Sequence, residues 1–580
     1  MEGKRPWLKH YGSVPESLEY PDTGLYERLL QSIEGSPEAI AYDFLGYRAT
    51  YRVMGNQIDR MADSLSSIGF DRNDRILVSM PTCPQGIICF YAVNKLGGVA
   101  AMIHPLSPPE DIKLYLQMSK SRFALTLDAF YPKLAEAKEQ TSLETVIVAS
   151  ITDYLPPIKS VLFKMTKGRK IKPVPKLEYL HHWNELMHRN TPKMKGPKIE
   201  SGELAAILFS GGTTGSPKGV MLSNHNLICE GMEVSAWGGL DSKDSVLAIL
   251  PIFHGFGLGV CINAFFMAGA RSILVPRFSA DIVAKLVKKS KPSFLIGVPT
   301  LFDALTKSRL FKKADLRCLK GVFSGGDSLP RSVKENFDEM VKSKKGTAVL
   351  REGYGLTESV TAVMAMPLNE YREGSVGIPF PDMDAKVVPL ESTTEVEPGE
   401  NGEICLNGPA VMMGYLDQPE ETARVLKKHG DGKTWLHTGD VGFMDEDGFF
   451  YFKQRAKRMI KSSGMNVYPS EVEKVLYRHP AVKEACVIGV PDVSQVEVVK
   501  AFVVLNENSD DNEETSRRII DFCREHMIKW SCPLEIEFRE TLPKTSIGKI
   551  AFQVLHEEEI QRLKDKGAYT GESTSGNNKR

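Results

Sequence analysis

The sequence predicts an α/β fold: a large N-terminal domain of stacked αβ sheets that carries a small β subdomain, followed by a small α+β C-terminal domain. Three observations point there. At 580 residues the chain is longer than one core supports. Strand-like and helical patterns alternate from about residue 25 to 385, which predicts parallel sheets flanked by helices. Beyond that the texture shifts twice, first to short strands broken by glycine and proline, then to a last segment with its own αβ pattern.

The elements follow in order. Ile76 to Met80 is a short apolar strand, and Gln85 to Leu96 reads as a helix stopped by Gly97-Gly98. Leu204 to Phe209 is predicted to be a buried strand feeding a glycine-rich loop. Leu258 to Val275 comes closest to a membrane span, but Asn263 and Arg271 interrupt it, so it reads as a buried element. Between Ala385 and Tyr415, Pro398-Gly399, Gly402 and Gly408 punctuate short strands. They open a β subdomain of about 385–453, which completes an N-terminal domain of 1–453. The charged stretch 454–461 is the expected hinge. The C-terminal domain, 462–564, should hold a helix from about Ser470 to His479, strands at Ala485 to Gly489 and Val498 to Leu505, and a helix from about Glu514 to Met527. Residues 565–580, rich in Gly, Ser, Thr, Asn and Lys, are expected to be a disordered tail.

Composition narrows the function classes. Lys+Arg and Asp+Glu are both 73, so the net charge is zero and nothing points to nucleic acid. The nine cysteines form no CxxC pair, so neither a disulfide framework nor a zinc site is expected, and a reducing cytoplasm fits. Met1 to Gly12 has no apolar core and does not read as a signal peptide.

The most informative stretch is Phe209-Ser210-Gly211-Gly212-Thr213-Thr214-Gly215-Ser216-Pro217-Lys218-Gly219-Val220. Its glycines let backbone approach a ligand closely. Its N–H and hydroxyl groups can surround phosphate oxygens while Lys218 supplies charge. It is not the common P-loop, because Lys218 follows Pro217 and precedes Gly219. In Glu352-Gly353-Tyr354-Gly355-Leu356-Thr357-Glu358, glycines on both sides let the tyrosine ring lie flat on a planar ligand. Phe323-Ser324-Gly325-Gly326-Asp327-Ser328-Leu329-Pro330 is a strand end and a tight turn. Trp435-Leu436-His437-Thr438-Gly439-Asp440 ends on a carboxylate able to accept hydrogen bonds from a sugar.

These motifs, in this order, resemble those of the adenylate-forming superfamily of acyl-CoA synthetases, aryl-CoA ligases, luciferases and peptide-synthetase adenylation domains. The likeness runs from about Trp7 to Leu555 and is greatest to bacterial medium- and long-chain fatty acyl-CoA synthetases. The resemblance implies that Ser210 to Gly215 and Lys218 cradle phosphates, and that Gly325, Gly326 and Asp327 run along the adenine and acyl pocket. It implies that Tyr354 stacks on adenine with Gly353 beside it, that Thr357 contacts the α-phosphate and that Glu358 holds Mg²⁺. Asp440 would bind the ribose and Arg455 ribose or phosphate. In Pro543-Lys544-Thr545-Ser546-Ile547-Gly548-Lys549-Ile550, Lys549 would bridge the substrate carboxylate and the α-phosphate. The C-terminal domain would be mobile: Lys457 would act as the pivot, and the loop from Lys461 to Val467, with Gly464, would line the pantetheine tunnel. His254, in Pro251-Ile252-Phe253-His254-Gly255-Phe256-Gly257, would border the substrate carboxylate. One position departs from the pattern, since Gln454 replaces the acid that usually precedes the hinge arginine.

The resemblance therefore implies a two-step ligase using ATP, Mg²⁺ and coenzyme A. Phe256-Gly257-Leu258-Gly259 offers no acid for a substrate ammonium, which argues against an amino acid. Gly255, Gly257, Gly259, Gly297 and Gly325 are expected to open a long pocket lined by Phe256, Leu258 and Val298, which favours a fatty acid. Residues 154–176 mix seven basic side chains with large apolar ones and no acid, a composition suited to an anionic membrane surface. A homodimer is a further possible partner state. The alternatives are an aryl- or alicyclic-acid CoA ligase, an acyl-adenylate ligase serving a carrier protein, and a silent relative.

Overall fold

The computed structural model describes residues 5–194, 196–210, 217–462, 465–492, 496–506, 509–544 and 550–565. Among them, a nine-stranded sheet has a parallel centre that includes Leu350–Gly355, Gly321–Ser324, Phe294–Gly297, Ser245–Ala248 and Arg271–Leu274. An eight-stranded sheet includes Leu204–Ser210, Val99–Met102, Arg75–Ser79, Phe123–Leu127 and Thr145–Ala149, again parallel. Helices such as Tyr51–Ser67, Pro84–Lys95 and Asn224–Gly238 lie against these sheets, as an alternating βα sequence requires. Pro84–Lys95 is buried all round, which explains why its sequence is apolar without a clear stripe.

Registers between parallel strands place the loops. Gly297 lies beside Ser324, and Ser324 beside Glu352. The Gly325-Gly326-Asp327 turn and the Gly353-Tyr354 end of the Leu350–Gly355 strand thus lie together at the carboxyl ends of the strands, where open α/β sheets form their ligand crevice. Leu204–Ser210 turns back into Lys218–Ser223 as an antiparallel pair with Ser210 opposite Lys218. The glycine-rich stretch thus lies between two antiparallel neighbouring strands, whereas a P-loop leads from a strand into a helix.

The β subdomain is a five-stranded antiparallel sheet of Asp384–Val388, Gly402–Asn407, Thr434–Met444, Leu426–Lys428 and Phe450–Arg455. The C-terminal segment has its own sheet, Met465–Val467, Ile460–Ser462, Val496–Leu505, Val482–Asp492 and Glu535–Phe538, with apolar cores on both faces. Its helices Pro469–Leu476 and Glu513–His526 fall where the apolar periodicity puts them. Leu258 to Val275 is buried, as π-helical turns over Phe256–Ala264, a short helix Phe265–Met267 and the strand Arg271–Leu274. Among the described residues no helix is long and apolar enough to cross a membrane. All nine cysteines are free.

Candidate functional site

The described candidate residues converge on the carboxyl ends of the two large sheets. The Leu204–Ser210 strand packs against the 3-10 turn Thr357–Ser359, which carries Thr357 and Glu358. Gly414–Tyr415 pairs with Lys218–Ser223. The Tyr415 hydroxyl donates to Glu358 Oε1 at 2.8 Å, and the Glu358 carbonyl accepts from Met412 N at 2.9 Å. Lys218 Nζ sits 4.6 Å above the Tyr415 ring and pairs with Glu421 Oε2 at 2.6 Å. The hydrogen bond from Lys218 holds the Glu421 carboxyl below its usual range, and Lys457 acts on it in the same direction. Sequence reasoning missed Tyr415, placed by strand pairing, and Glu421, on the helix Pro419–Val425 that follows it.

A second group lies at the β subdomain. Tyr354 is buried and its hydroxyl donates to Asp440 Oδ2 at 2.6 Å. Arg455 Nε meets Asp440 Oδ1 at 2.7 Å. Register explains the meeting, since Asp440 and Arg455 are cross-strand partners. Burial, then the neighbouring Asp440 charge, pushes the Tyr354 hydroxyl far up, so it remains a donor. Burial lowers the Arg455 guanidinium, and Asp440, Tyr354, Glu358 and Tyr415 together more than offset it.

The Thr357-Glu358 turn is held by close packing. Val360 has φ 61° and ψ −63°, and Thr361 N donates to Ser359 O at 2.7 Å, which makes Val360 the centre of a strained γ-turn. A Cβ on Gly355 would lie 1.4 Å from the Thr361 carbonyl oxygen, and one on Gly255 would lie 1.8 Å from that of Val360. Both glycines exist because backbone occupies that space.

This corrects the expectation of a glycine-opened pocket. A Cβ on Gly257 would fall 2.1 Å from Pro251 O, on Gly259 2.5 Å from Glu230 Oε2, on Gly297 3.0 Å from Leu301 and on Gly325 3.1 Å from Phe256. These glycines admit neighbouring chain. His254 Nδ1 accepts from Phe256 N at 3.1 Å, so a neutral ring carries its proton on Nε2.

Asp327 accepts from Ser328 N at 2.9 Å and lies near enough to the C-terminal segment to act on Arg458 and Glu473. Those two pair at 2.6 Å. Lys453 pairs with Glu471 at 2.8 Å and its carbonyl accepts from Ser470 Oγ at 2.5 Å, which ties the helix Pro469–Leu476 to the strand Phe450–Arg455. Lys461 N donates to Glu497 at 2.7 Å. Gln454 is only 2% exposed, and neither side-chain polar atom finds a hydrogen-bond partner among the described residues. Gly211, Gly212, Thr213, Thr214, Gly215, Gly464 and Lys549 lie outside the described residues, as does the expected tail from residue 566. Lys544 and Ile550, which flank the Lys549 loop, form an antiparallel bridge.

Glu358 fits a magnesium site. It is a carboxylate with one oxygen engaged by a tyrosine hydroxyl, on a turn packed against the Leu204–Ser210 strand, and magnesium commonly takes one carboxylate together with phosphate oxygens.

An open α/β fold that sets Lys218 and Glu358 near a buried Tyr–Asp–Arg group has the form of a nucleotide-binding α/β enzyme. The chain matches the AMP-binding enzyme family over residues 29–416 and that family's C-terminal domain over residues 471–549, and it belongs to this adenylate-forming family. It is 35% identical to a long-chain-fatty-acid–CoA ligase of Bacillus subtilis strain 168, across 97% of this chain and 99% of that protein. It is 32% identical to a long-chain-fatty-acid–CoA ligase of Salmonella typhimurium, across 97% and 100%. ATP-bound MatB from Rhodopseudomonas palustris shares the fold, with a TM-score of 0.80 at 24% identity over 93% of this chain and 99% of that one.

Proposed function

We propose that this chain is an ATP-dependent acid–CoA ligase acting on medium- to long-chain fatty acids. The observation that supports it best is the convergence of Lys218, Glu358, Tyr354, Asp440 and Arg455 at one crevice, in a chain aligned end to end with long-chain-fatty-acid–CoA ligases. The substrate carboxylate attacks the α-phosphorus of ATP, pyrophosphate leaves, and the CoA thiol then displaces AMP from the acyl carbon. Catalysis is mostly positioning and charge stabilisation. Lys218, with Ser210 to Gly215, holds phosphates. Asp440 and Arg455 bind the ribose, and Gly353-Tyr354 and Gly325 to Asp327 border the adenine. Glu358 holds Mg²⁺, which would screen the phosphate charge. His254 offers its Nε2–H to the carboxylate end of the acid. Thr357 and Lys549 face the α-phosphate, and Lys457 is the pivot that exchanges Lys549 for the Lys461–Gly464 loop.

Turnover with a panel of acids from butyrate to stearate, plus benzoate and cyclohexanecarboxylate, tests the substrate. AMP release in the presence of CoA should peak between laurate and stearate. A peak at ring acids would overturn the substrate, and pyrophosphate exchange without thioester would point to a carrier protein.

The insertion supports membrane docking. On the helix Pro157–Met165, Ile158, Val161, Leu162 and Met165 share one face by their spacing and are 85%, 58%, 61% and 59% exposed. Lys159 pins the helix by donating to Leu45 O at 2.6 Å. Lys164, Arg169, Lys170 and Lys172 provide charge on the order of 1 kcal/mol each at an anionic surface. Neutralising Lys164, Arg169 and Lys170 should release the protein from anionic vesicles, and unchanged co-sedimentation would end the argument.

A further inference from the structure

The β subdomain holds a cluster that the nucleotide site does not use. Cys405 stands in Gly402–Asn407 directly opposite His437 in Thr434–Met444. His429 follows the neighbouring strand Leu426–Lys428. One ligand atom from each of the three lies within 4.8 Å of the other two, and all three residues are buried. The imidazoles meet Nε2 to Nε2 at 2.9 Å. His437 Nδ1 lies 2.7 Å from Glu403 Oε2, a group that only accepts. His437 Nδ1 is therefore protonated, and the neutral ring turns the Nε2 lone pair inward. Facing that lone pair, His429 Nε2 carries the proton of the metal-free ring, and His429 Nδ1, buried without a partner among the described residues, is able to take the proton up when Nε2 turns to an ion.

We propose that Cys405, His429 and His437 bind one zinc ion, with Glu403 orienting His437 from behind. Two imidazoles and a thiol suit zinc and do not suit magnesium or calcium, which take oxygen. Metal–nitrogen bonds of about 2.0–2.1 Å and a metal–sulfur bond of about 2.3 Å place tetrahedral ligand atoms roughly 3.3–3.6 Å apart, so the rings separate slightly as the ion enters. The Cys405 thiol releases its proton as the sulfur–zinc bond forms, and the fourth position is left to water. A carboxylate behind a ligating histidine is the usual outer partner of such an ion. Two cations lie nearby: Lys386, 4.0 Å from the Trp435 ring and paired with Asp431 at 3.1 Å, and Lys427, which acts on Cys405 and His429.

The ion would staple Gly402–Asn407 to Thr434–Met444 and to the turn after Leu426–Lys428. Glu403 also accepts from Gly439 N at 2.8 Å through its other oxygen. Gly439 precedes Asp440, so the site sets where the Asp440 carboxylate stands. Sequence reasoning expected no zinc site because no CxxC pair exists. Here sheet pairing assembles the ligands.

The test uses the full chain, stripped with a chelator and titrated with Co²⁺ alone. One equivalent should bind, with tetrahedral visible bands and a near-ultraviolet thiolate charge-transfer band. Cys405→Ser should lose that charge-transfer band, Cys486→Ser should keep it, and Glu403→Gln should weaken cobalt binding about 10- to 100-fold. X-ray absorption on the unmodified cobalt-loaded chain should show one sulfur and two imidazole nitrogens, even if Cys405→Ser fails to fold. Substoichiometric uptake, a shell without sulfur, or an unchanged band in a folded Cys405→Ser would mean that the two rings only share a proton.

Discussion

Glu421→Gln asks whether a resident anion competes with the nucleotide for Lys218. The pair is 2.6 Å long, with 15% and 31% of the two side chains exposed, and Arg424 is a second cation on Glu421. Phosphates arriving at Lys218 must displace that carboxylate. A partly exposed pair of this kind contributes about 1 kcal/mol. The amide keeps the shape and removes the charge, so about 1 kcal/mol becomes available to the ligand, which is roughly a fivefold tighter ATP complex. Lys218→Ala should instead lose about 1.5–3 kcal/mol, the range for a hydrogen bond to a charged group, or roughly 10- to 100-fold in affinity. Calorimetric titration of ATP measures both, and thermal melting should move Glu421→Gln by no more than about 1 kcal/mol. Weaker ATP binding in Glu421→Gln would refute the competition, because the glutamate would then be positioning the lysine. Unchanged affinity in both variants would remove Lys218 from the nucleotide.

Further outcomes are expected elsewhere. Gly355→Ala should destabilise the fold by on the order of 3 kcal/mol, read by urea titration, because its Cβ would fall 1.4 Å from Thr361 O; near-neutral behaviour would mean the γ-turn relaxes freely. Burial raises the Glu352 carboxyl to about 7 from its usual 4.5. The folded chain thus keeps a proton that the unfolded chain has released, and stability falls by about 3 kcal/mol as pH rises through that window. Glu352→Gln should flatten that slope, and an unaltered profile would contradict the assignment. Lys549→Ala should abolish adenylation while sparing thioester formation from supplied acyl-adenylate, and equal loss of both half-reactions would refute its role.

The Glu352 to Glu358 stretch was legible as a close-packed backbone turn because its requirements are local. Backbone that must approach a ligand, or another chain, needs glycine at fixed neighbouring positions, so the signal is contiguous. The same logic misled at Gly257 and Gly259, where glycine admits Pro251 and Glu230 instead of an acyl chain. A missing Cβ records close approach without recording what approaches.

By itself the sequence determined the alternation of strand and helix, the buried runs, and the loops rich in glycine with Lys218. These follow from side-chain periodicity and backbone freedom, which act over a few residues. Tertiary structure alone decided that Tyr354 and Arg455 share Asp440, that Glu421 holds Lys218, and that Cys405, His429 and His437 converge. Those partners lie on different elements, with Glu421 on the helix Pro419–Val425 and His429 in a turn, and the pairing and packing of whole sheets bring them together. Register is fixed only when whole sheets bury their apolar faces, so no short stretch of sequence can encode it.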